Sequence, residues 1–275
     1  VRHEIVHNPW VIKDLESKGV IFIENLQDAP KGSRVIFSAH GIPQSVLIEA
    51  NEKEMPFIDA TCPLVIKVHN EAKRLYKDGA HIFLIGHEGH PEVIGTMGQI
   101  PLDKITLIQD KQDIKKLKKS NYNKVGLITQ TTLSVDDTKE IIDELKYIFP
   151  NIIQPPKEDI CYATTNRQLA IKSIASKCDL IYVIGANNSS NSLRLVEVGK
   201  KSGCDKTYLI SDLSEVNWQL VEKKQKIGIT AGASAPDIII QEFINELNQL
   251  YNIEIKKVSV AEENITFKIP KELNE

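Results

Sequence analysis

Two cysteines occupy matching places in the chain. Cys62 and Cys161 each lie where an apolar run gives way to a helical pattern. A thiol at a helix N-terminus is stabilised as the thiolate by the helix dipole and by free N–H groups, which suits a metal ligand or a nucleophile. A buried structural cysteine is the alternative for any single thiol. We assign that role to Cys178 and Cys204, which have no counterpart in the pattern.

Histidines follow the apolar runs as well. Four of them end or follow a run of strand type: His7, His40, His87 and His90. In loops at a sheet edge, histidine binds phosphate when it is charged and a metal when it is neutral. Together with the two cysteines these residues also fit a zinc site, although no compact CxxC or HxxxH spacing occurs. The other histidines lack this placement, and we expect them to be at the surface or half-buried: His3, His69 and His81.

Three polar loops run from a strand pattern into a helix pattern. They are TQTTLSVDD at 129–137, GANNSSNS at 185–192 and TAGASAP at 230–236. Hydroxyls, amides and backbone N–H groups at the positive end of a helix bind anions. One such loop is usually only a helix cap. Several of them, combined with histidines, predict a phosphate or diphosphate site.

Glu92 lies in the polar segment HPEV beside His90. A carboxyl group that is desolvated can act as an acid or a base near neutral pH, and its proton can pass through a neighbouring threonine hydroxyl. Taken alone, a glutamate after proline is only a helix-start residue. The assignment of Glu92 therefore depends on the surrounding residues.

Strand and helix patterns alternate along all 275 residues. Probable strands cover 20–23, 34–40, 81–87, 124–130, 180–187 and 226–234, and probable helices cover 62–79, 134–149 and 189–203. This alternation predicts an α/β fold with mainly parallel sheets.

Landmarks recur at a nearly constant distance. Cys62 and Cys161 are 99 residues apart, Gly86 and Gly185 are 99 apart, and Ser134 and Ser234 are 100 apart, the three pairs being read from the sequence. Recurrence at a fixed period indicates repeated structural units. We therefore expect three pseudo-repeated α/β domains arranged around a central site.

The predicted domains are unequal. The first is incomplete and covers 1–61, the second covers 62–158 and the third covers 159–249; the C-terminal 250–275 could return to the first. Counting back by the repeat places a third cysteine about 20 to 30 residues before Val1. We therefore expect this polypeptide to be an N-terminally truncated, inactive fragment that lacks one thiol ligand.

Bulk properties exclude several classes of protein. Hydrophobic residues make up 41% and charged residues 26% of the chain, and the formal charge is −3. No basic block indicates nucleic acid as a partner. No apolar run approaches the ~20 residues that span a bilayer, and no signal segment opens the chain. We predict no membrane partner and a cytoplasmic location, where thiols stay reduced.

Longer motifs carry a resemblance over the whole chain. They are HEIVHN, FSAHG, DATCPLVIKVH, GHEGHPEVIGTMGQ, TQTTLSVDDT, DICYATTNRQ, NNSSNS, TAGASAPD and EENITFKIPKEL. The chain resembles the 4-hydroxy-3-methylbut-2-enyl diphosphate reductase (IspH/LytB) family. The resemblance implies reductive removal of the hydroxyl of an allylic diphosphate, giving isopentenyl and dimethylallyl diphosphates in the methylerythritol phosphate route. It also implies a [4Fe-4S] cluster and a flavodoxin or ferredoxin as electron donor.

The resemblance implies a role for individual residues. Cys62 and Cys161 would be two of three cysteine ligands to the cluster, and the segment with the third is absent here. Glu92 would deliver the proton, with Thr131 in the relay. The residues that would hold the diphosphate are His7, His40, His90, Ser189, Ser190, Asn191 and Ser234. Two alternatives remain: a zinc-dependent phosphoester hydrolase and a non-catalytic protein that binds a phosphorylated ligand.

Overall fold

The computed structural model describes residues 1–118, 121–270 and 273. All strand pairs in this part of the chain are parallel, and helices connect the strands. A parallel pair requires a crossover, which the amphipathic helices between the strands provide. The predicted α/β class is confirmed.

The bounds of the elements are as follows. The helices are α1 (Pro9–Ser17), α2 (Gln44–Glu52), α3 (Pro63–Lys77), α4 (Pro91–Met97), α5 (Lys111–Lys116), α6 (Val135–Ile148), α7 (Tyr162–Ala175), α8 (Ser190–Lys201), α9 (Trp218–Val221) and α10 (Asp237–Leu250). The strands are β1 (Val35–Phe37), β2 (Phe57–Asp59), β3 (His81–Ile85), β4 (Ile105–Ile108), β5 (Val125–Thr129), β6 (Leu180–Ile184), β7 (Thr207–Ile210) and β8 (Ile227–Ala231).

The chain forms two compact units. Unit 1 comprises Val1–Val6, Gly19–Cys161 and Thr266–Glu275, and unit 2 comprises His7–Lys18 and Tyr162–Ile265. Unit 1 carries the sheets β1-β2 and β4-β3-β5, and unit 2 carries the sheet β7-β6-β8. The finer division into three domains stays a prediction.

The two three-stranded sheets repeat each other. The central strands β3 and β6 begin 99 residues apart, at His81 and Leu180, and the helices that follow them begin 99 apart, at Pro91 and Ser190. This spacing matches the one predicted from the cysteines. Residues at the start of α4 and of α8 can therefore be compared directly.

The repeat spacing then widens to 102 residues. The strands β5 and β8 begin at Val125 and Ile227, and α6 and α10 begin 102 residues apart as well. Ser134 caps α6, so its counterpart is Pro236, the residue before α10. The predicted pairing of Ser134 with Ser234, which are 100 residues apart, is wrong by two positions because three residues are added to unit 2 between the central strand and the last strand.

Both central strands are buried on two faces. Phe83 and Ile85 pack in one apolar cluster with α6, whereas Ile82 and Leu84 pack in another with α3. Successive side chains of a strand point to opposite faces. A strand covered on both sides therefore appears in the sequence as an unbroken apolar run, which is why β3 and β6 were predictable.

One predicted strand is absent. In the predicted strand at 20–23 only Ile23 pairs, through a single bridge to Arg2. An apolar run becomes a strand only where a neighbouring strand pairs with it along its length. Within 1–118, 121–270 and 273, no helix is long and apolar enough to cross a membrane.

Candidate active site

Glu92 lies in the first turn of α4 and is almost completely buried, with 2% of its surface exposed. Its Oε1 accepts a hydrogen bond from the backbone N–H of Thr131 at 2.6 Å, and its Oε2 accepts one from the Thr131 hydroxyl at 3.0 Å. Burial raises the pKa of Glu92 to about 7 even though both hydrogen bonds lower it. The charge of Asp159 raises it further. This carboxyl group can therefore gain and lose a proton near neutral pH.

His90 precedes Glu92 as the N-cap of α4. Its Nδ1 accepts a hydrogen bond from the backbone N–H of Glu92 at 3.2 Å. A ring nitrogen that accepts carries no proton, so the proton of the neutral ring is on Nε2, a hydrogen-bond donor for an anion. The ring of His40, which follows β1, lies edge-on to the His90 ring with 5.9 Å between centroids.

The two cysteines lie at the starts of helices, as predicted. Cys62 caps α3 and donates its backbone N–H to the Ala39 carbonyl at 3.0 Å. Cys161 immediately precedes α7 and donates its backbone N–H to the Thr131 carbonyl at 2.9 Å. Burial raises the pKa of the Cys62 thiol, the backbone N–H groups of the first turn lower it, and the charge of Cys161 raises it again. Cys161 therefore lies close enough to Cys62 to affect the pKa of the Cys62 thiol.

This donor set fits an iron–sulfur cluster in part. Neither thiol is in a disulfide and both are half-buried, and soft thiolates are the ligands that such clusters use. In the chain outside residues 119–120, 271–272 and 274–275, no group of three or more Cys, His, Asp or Glu side chains is arranged to hold a metal. The described residues thus supply two of the cysteine ligands that the resemblance implies.

Asp159 is a buried carboxylate that the sequence did not single out as a site residue. It forms an ion pair with Lys67 of α3 at 3.2 Å and accepts the backbone N–H of Thr129 at 3.0 Å. Lys67 also donates to the two backbone carbonyls just before Asp159, at 2.9 and 2.7 Å. These contacts tie the segment that leads to Cys161 onto the helix that Cys62 caps. Burial raises the pKa of Asp159, and Lys67 opposes that effect.

The corresponding loop of unit 2 carries Ser189, Ser190 and Asn191. Ser189 caps α8, and its Oγ accepts hydrogen bonds from the Ser192 backbone N–H and hydroxyl, at 3.4 and 3.1 Å. Asn191 is only 4% exposed, yet neither its Nδ2 nor its Oδ1 has a hydrogen-bond partner among the described residues. Because an unsatisfied buried amide is unfavourable, this one is a group that a polar ligand would satisfy.

Two glycines make room for this loop. A side chain at Gly185 or at Gly232 would overlap the Ser192 hydroxyl, and one at Gly232 would also come within 3.1 Å of the Asn191 Nδ2. In the same unit, the Ser234 hydroxyl donates to the His7 carbonyl at 3.0 Å. The structure thus places Ser234 and His7 in contact, which sequence spacing could not predict.

One histidine prediction is wrong. His69 was expected to be at the surface or half-buried, but it is only 7% exposed and lies on the inner face of α3. Its position follows Val65 by four residues and precedes Ala72 by three, and both of these are buried. That spacing is the signal that could have placed it in the core. Burial, assisted by Lys73, lowers the pKa of His69 to about 4.

The predicted site residues share one position in the fold, since they follow the carboxyl ends of parallel strands. His40 follows β1, Cys62 follows β2, Glu92 follows β3, Thr131 follows β5, Asn191 follows β6 and Ser234 follows β8. Open parallel α/β sheets bind their ligands at this edge. The chain is therefore an α/β protein in which a buried carboxyl group, two neighbouring thiols and polar loops follow the carboxyl ends of the strands.

Comparison with known proteins identifies the family. The model of the LytB protein family matches residues 1–248, and the chain therefore belongs to that family. Two similar proteins are each named 4-hydroxy-3-methylbut-2-enyl diphosphate reductase. The protein from Paracoccus denitrificans (strain Pd 1222) is 48% identical over 275 residues, which is all of this chain and 87% of that protein. The protein from Gluconobacter oxydans (strain 621H) is 50% identical over 274 residues, or 98% of this chain and 82% of that protein.

Solved structures agree with this family. The E-1-hydroxy-2-methyl-but-2-enyl-4-diphosphate reductase from Plasmodium falciparum is 40% identical with a TM-score of 0.95, covering 98% of this chain and 85% of that one. An (E)-4-hydroxy-3-methyl-but-2-enyl diphosphate reductase, described as the terminal enzyme of the non-mevalonate pathway, is 32% identical with a TM-score of 0.62, covering 89% and 86%. The resemblance found in the sequence motifs is confirmed.

Proposed function

We propose that this protein is an oxidoreductase that converts (E)-4-hydroxy-3-methylbut-2-enyl diphosphate to isopentenyl and dimethylallyl diphosphates. Membership of the LytB family and the reductase names of relatives 48% and 50% identical support this function. The reaction takes two electrons and two protons. The C–O bond breaks, one proton leaves with the oxygen as water, and the other forms a C–H bond.

The observation that carries the proposal is the environment of Glu92. Hydroxide is a poor leaving group, so the substrate oxygen must receive a proton as the C–O bond breaks. A carboxyl group whose pKa is about 7 is protonated in a large fraction of molecules at neutral pH. The Thr131 hydroxyl contacts Glu92 Oε2 at 3.0 Å. It can accept a proton from Glu92 and donate its own, which makes Thr131 the relay.

We propose diphosphate ligands within each unit, taken separately. His40 and His90 in unit 1 would donate ring N–H groups to phosphate oxygens. In unit 2 the proposed ligands are His7, Ser189, Ser190, Asn191 and Ser234. The unsatisfied amide of Asn191 supports this assignment most directly, because a ligand would remove the cost of its burial.

The proposed cofactor is a [4Fe-4S] cluster with Cys62 and Cys161 among its ligands. When it is bound, this group supplies the electrons and a Lewis-acidic iron that polarises the C–O bond of the substrate. The residues of the chain do the rest: they bind the diphosphate, orient the hydroxyl and hold the proton at Glu92. We propose flavodoxin or ferredoxin as the electron donor and the cytoplasm as the location.

The test is an anaerobic assay of the native gene product after reconstitution with iron and sulfide. With a chemical reductant, the protein should convert the allylic diphosphate to the two named products. Cys161→Ser should remove the visible absorbance and the activity together. Glu88→Gln, a change at an exposed carboxylate of the same loop, is the control and should leave turnover unchanged. Activity that survives Cys161→Ser would contradict the cofactor assignment, and a loaded protein that forms neither product would contradict the function.

A further inference from the structure

The segment Gly41–Gln44, which follows His40, is held between α3 and α4. We propose that His69, Gly95 and Gln99 form a clamp on this segment that fixes His40 against His90 and thereby sets the affinity for the substrate diphosphate. We call these three residues the Gly41 clamp. They are positioning residues, and their role rests on the function proposed above for the two histidines.

The α3 side of the clamp is the ring of His69. Gly41 adopts the left-handed conformation, with φ of +82°, and a Cβ at this position would lie 2.6 Å from His69 Cε1 and 3.1 Å from Nε2. The His69 Nε2 is buried and has no hydrogen-bond partner in the part of the chain that the structure describes. The ring therefore contributes by steric contact, because the main chain of Gly41 packs against it.

The α4 side is a surface without side chains. A Cβ at Gly95 would lie 3.1 Å from the Gly41 carbonyl carbon and 3.3 Å from the Ile42 nitrogen. One turn further on, a Cβ at Gly98 would overlap Pro43. Glycine at both positions lets the segment approach the helix backbone directly. Gly41 is thus enclosed by His69 on one side and by Gly95 on the other.

Gln99 connects the segment Gly41–Gln44 to α4 through hydrogen bonds. Its side chain is 8% exposed, and its Nε2 donates to the Ile42 carbonyl at 2.7 Å and to the Gly95 carbonyl at 2.8 Å. Its Oε1 accepts from Gln44 Nε2 at 2.8 Å. One buried side chain thereby makes three hydrogen bonds, so a change that leaves these partners unsatisfied carries a large penalty.

The clamp has a direct geometric consequence. His40 is the residue before the clamped segment, and His90 is the N-cap of the helix to which the segment is fastened. The contact between the two rings, with 5.9 Å between centroids, is therefore set by how Gly41 and Ile42 dock on α4. A diphosphate that uses both rings requires this spacing before it binds, since pre-organisation lowers the cost of binding.

The test is calorimetric titration of the full chain with inorganic pyrophosphate. Gln99→Met keeps the volume of the side chain and removes its hydrogen bonds, and it should raise the Kd about tenfold. The matched control is a core change at Ile141, to valine or alanine, chosen to lose a similar Tm. The control should bind pyrophosphate as the wild type does. His40→Ala and His90→Ala should each weaken binding, which verifies that the rings contact the anion.

A double-mutant cycle separates positioning from general destabilisation. Gly41→Ala introduces a methyl group against His69 and should weaken pyrophosphate binding. His69→Ala opens space for that methyl group, so the double variant should bind more tightly than Gly41→Ala alone. If both ring variants weaken binding while Gln99→Met matches its Ile141 control, the clamp is overturned and the proposed function stands. If the wild type binds no pyrophosphate, the clamp and the diphosphate assignment fail together.

Discussion

The starts of α4 and α8 occupy equivalent places in the two units and differ in how their polar groups are satisfied. Glu92 and Asn191 are 99 residues apart, and each is the second residue of its helix. Both carboxyl oxygens of Glu92 accept hydrogen bonds from Thr131, whereas neither end of the Asn191 amide has a hydrogen-bond partner within residues 1–118, 121–270 and 273. Both side chains are buried, so burial alone does not explain the difference.

The difference in hydrogen bonding is explained by the loop that follows the last strand of each sheet, β5 in unit 1 and β8 in unit 2. With the spacing of 102 residues that relates β5 to β8, the counterpart of Thr131 is Ala233, which has no hydroxyl. A group that the protein itself satisfies can hold a proton in a defined place. A group that the protein leaves unsatisfied is available to a ligand. This difference supports the proposed roles, which are proton transfer at Glu92 in unit 1 and ligand binding at Asn191 in unit 2.

The largest effect is expected at Glu92. Glu92→Gln keeps the size of the side chain and removes the proton, so turnover should fall by about 10²- to 10⁴-fold. Pyrophosphate binding, measured by calorimetry, should stay close to that of the wild type because the diphosphate ligands are unchanged. If Glu92→Gln weakens pyrophosphate binding as much as it lowers turnover, Glu92 binds the substrate, as proposed for Asn191, and does not carry the proton.

The same change should alter how stability depends on pH. Folding raises the pKa of Glu92 from 4.5 to about 7, so between these values the folded state binds more protons than the unfolded state. The free energy of unfolding therefore falls as pH rises through this window, by roughly 3 kcal/mol in total. Glu92→Gln should remove this loss. The free energy of unfolding of the variant, measured in urea, should therefore equal that of the wild type near pH 4 and exceed it by the full amount above pH 7.

His69 makes the comparison with the variant necessary. Its pKa falls on folding from 6.5 to about 4, so in that window the unfolded state binds more protons and stability rises with pH. This effect opposes that of Glu92 over an overlapping range. The wild-type curve alone is therefore uninformative, and the difference between wild type and Glu92→Gln isolates the carboxyl group. A difference that does not vary with pH would contradict the raised pKa.

Asn191→Leu should separate stability from binding. Leucine has nearly the same shape and leaves no amide to satisfy, so the unliganded protein should gain about 1 to 2 kcal/mol in urea unfolding. The same variant should bind pyrophosphate at least about tenfold more weakly, because a hydrogen bond to a charged ligand is lost. Asn166→Leu, at a half-buried amide in α7 that bonds to Glu263, is the control and should show neither change. A loss of stability in Asn191→Leu would mean that this amide is already satisfied.

The smallest effect is expected from making unit 2 resemble unit 1. Ala233→Thr supplies the hydroxyl that Thr131 provides to Glu92, next to Gly232, which borders Asn191. If the new hydroxyl bonds to the amide, pyrophosphate binding should weaken by a few-fold, on the order of 0.5 to 1 kcal/mol for one neutral hydrogen bond. Ala233→Val, with the same shape and no hydroxyl, is the matched control. If both variants weaken pyrophosphate binding equally, the cause is steric hindrance and not a new hydrogen bond.

The sequence predicted the parts of this protein that repeat. The central strands, the helices after them and the capping residues all lie on apolar runs and polar loops that recur at a fixed spacing. The four-residue strands β4 and β7 were missed because so short a run has no recognisable period. The pairing of Ser134 with Ser234 failed because the period changes within the unit, and sequence spacing alone does not show where.

The sequence was enough to propose which residues form the candidate site, but it did not show which of them contact each other. The structure adds that Thr131 forms hydrogen bonds with Glu92. It also adds the ion pair between Asp159 and Lys67 and the packing of His69 on Gly41. Each of these contacts joins positions far apart in the chain through the tertiary fold. No local pattern encodes them. His69 is the exception, since its place among the buried residues of α3 follows from helical spacing.

The measurement that tests the central comparison most directly is the pKa of Glu92 in the folded protein. The carboxyl stretching band of a protonated glutamate can be followed by infrared difference spectroscopy between the wild type and Glu92→Gln across pH. We expect a band that is present at pH 6 and is lost with a midpoint near 7. A midpoint near 4.5 would contradict the assignment of Glu92 as the proton carrier, and with it the division of tasks between the two loops.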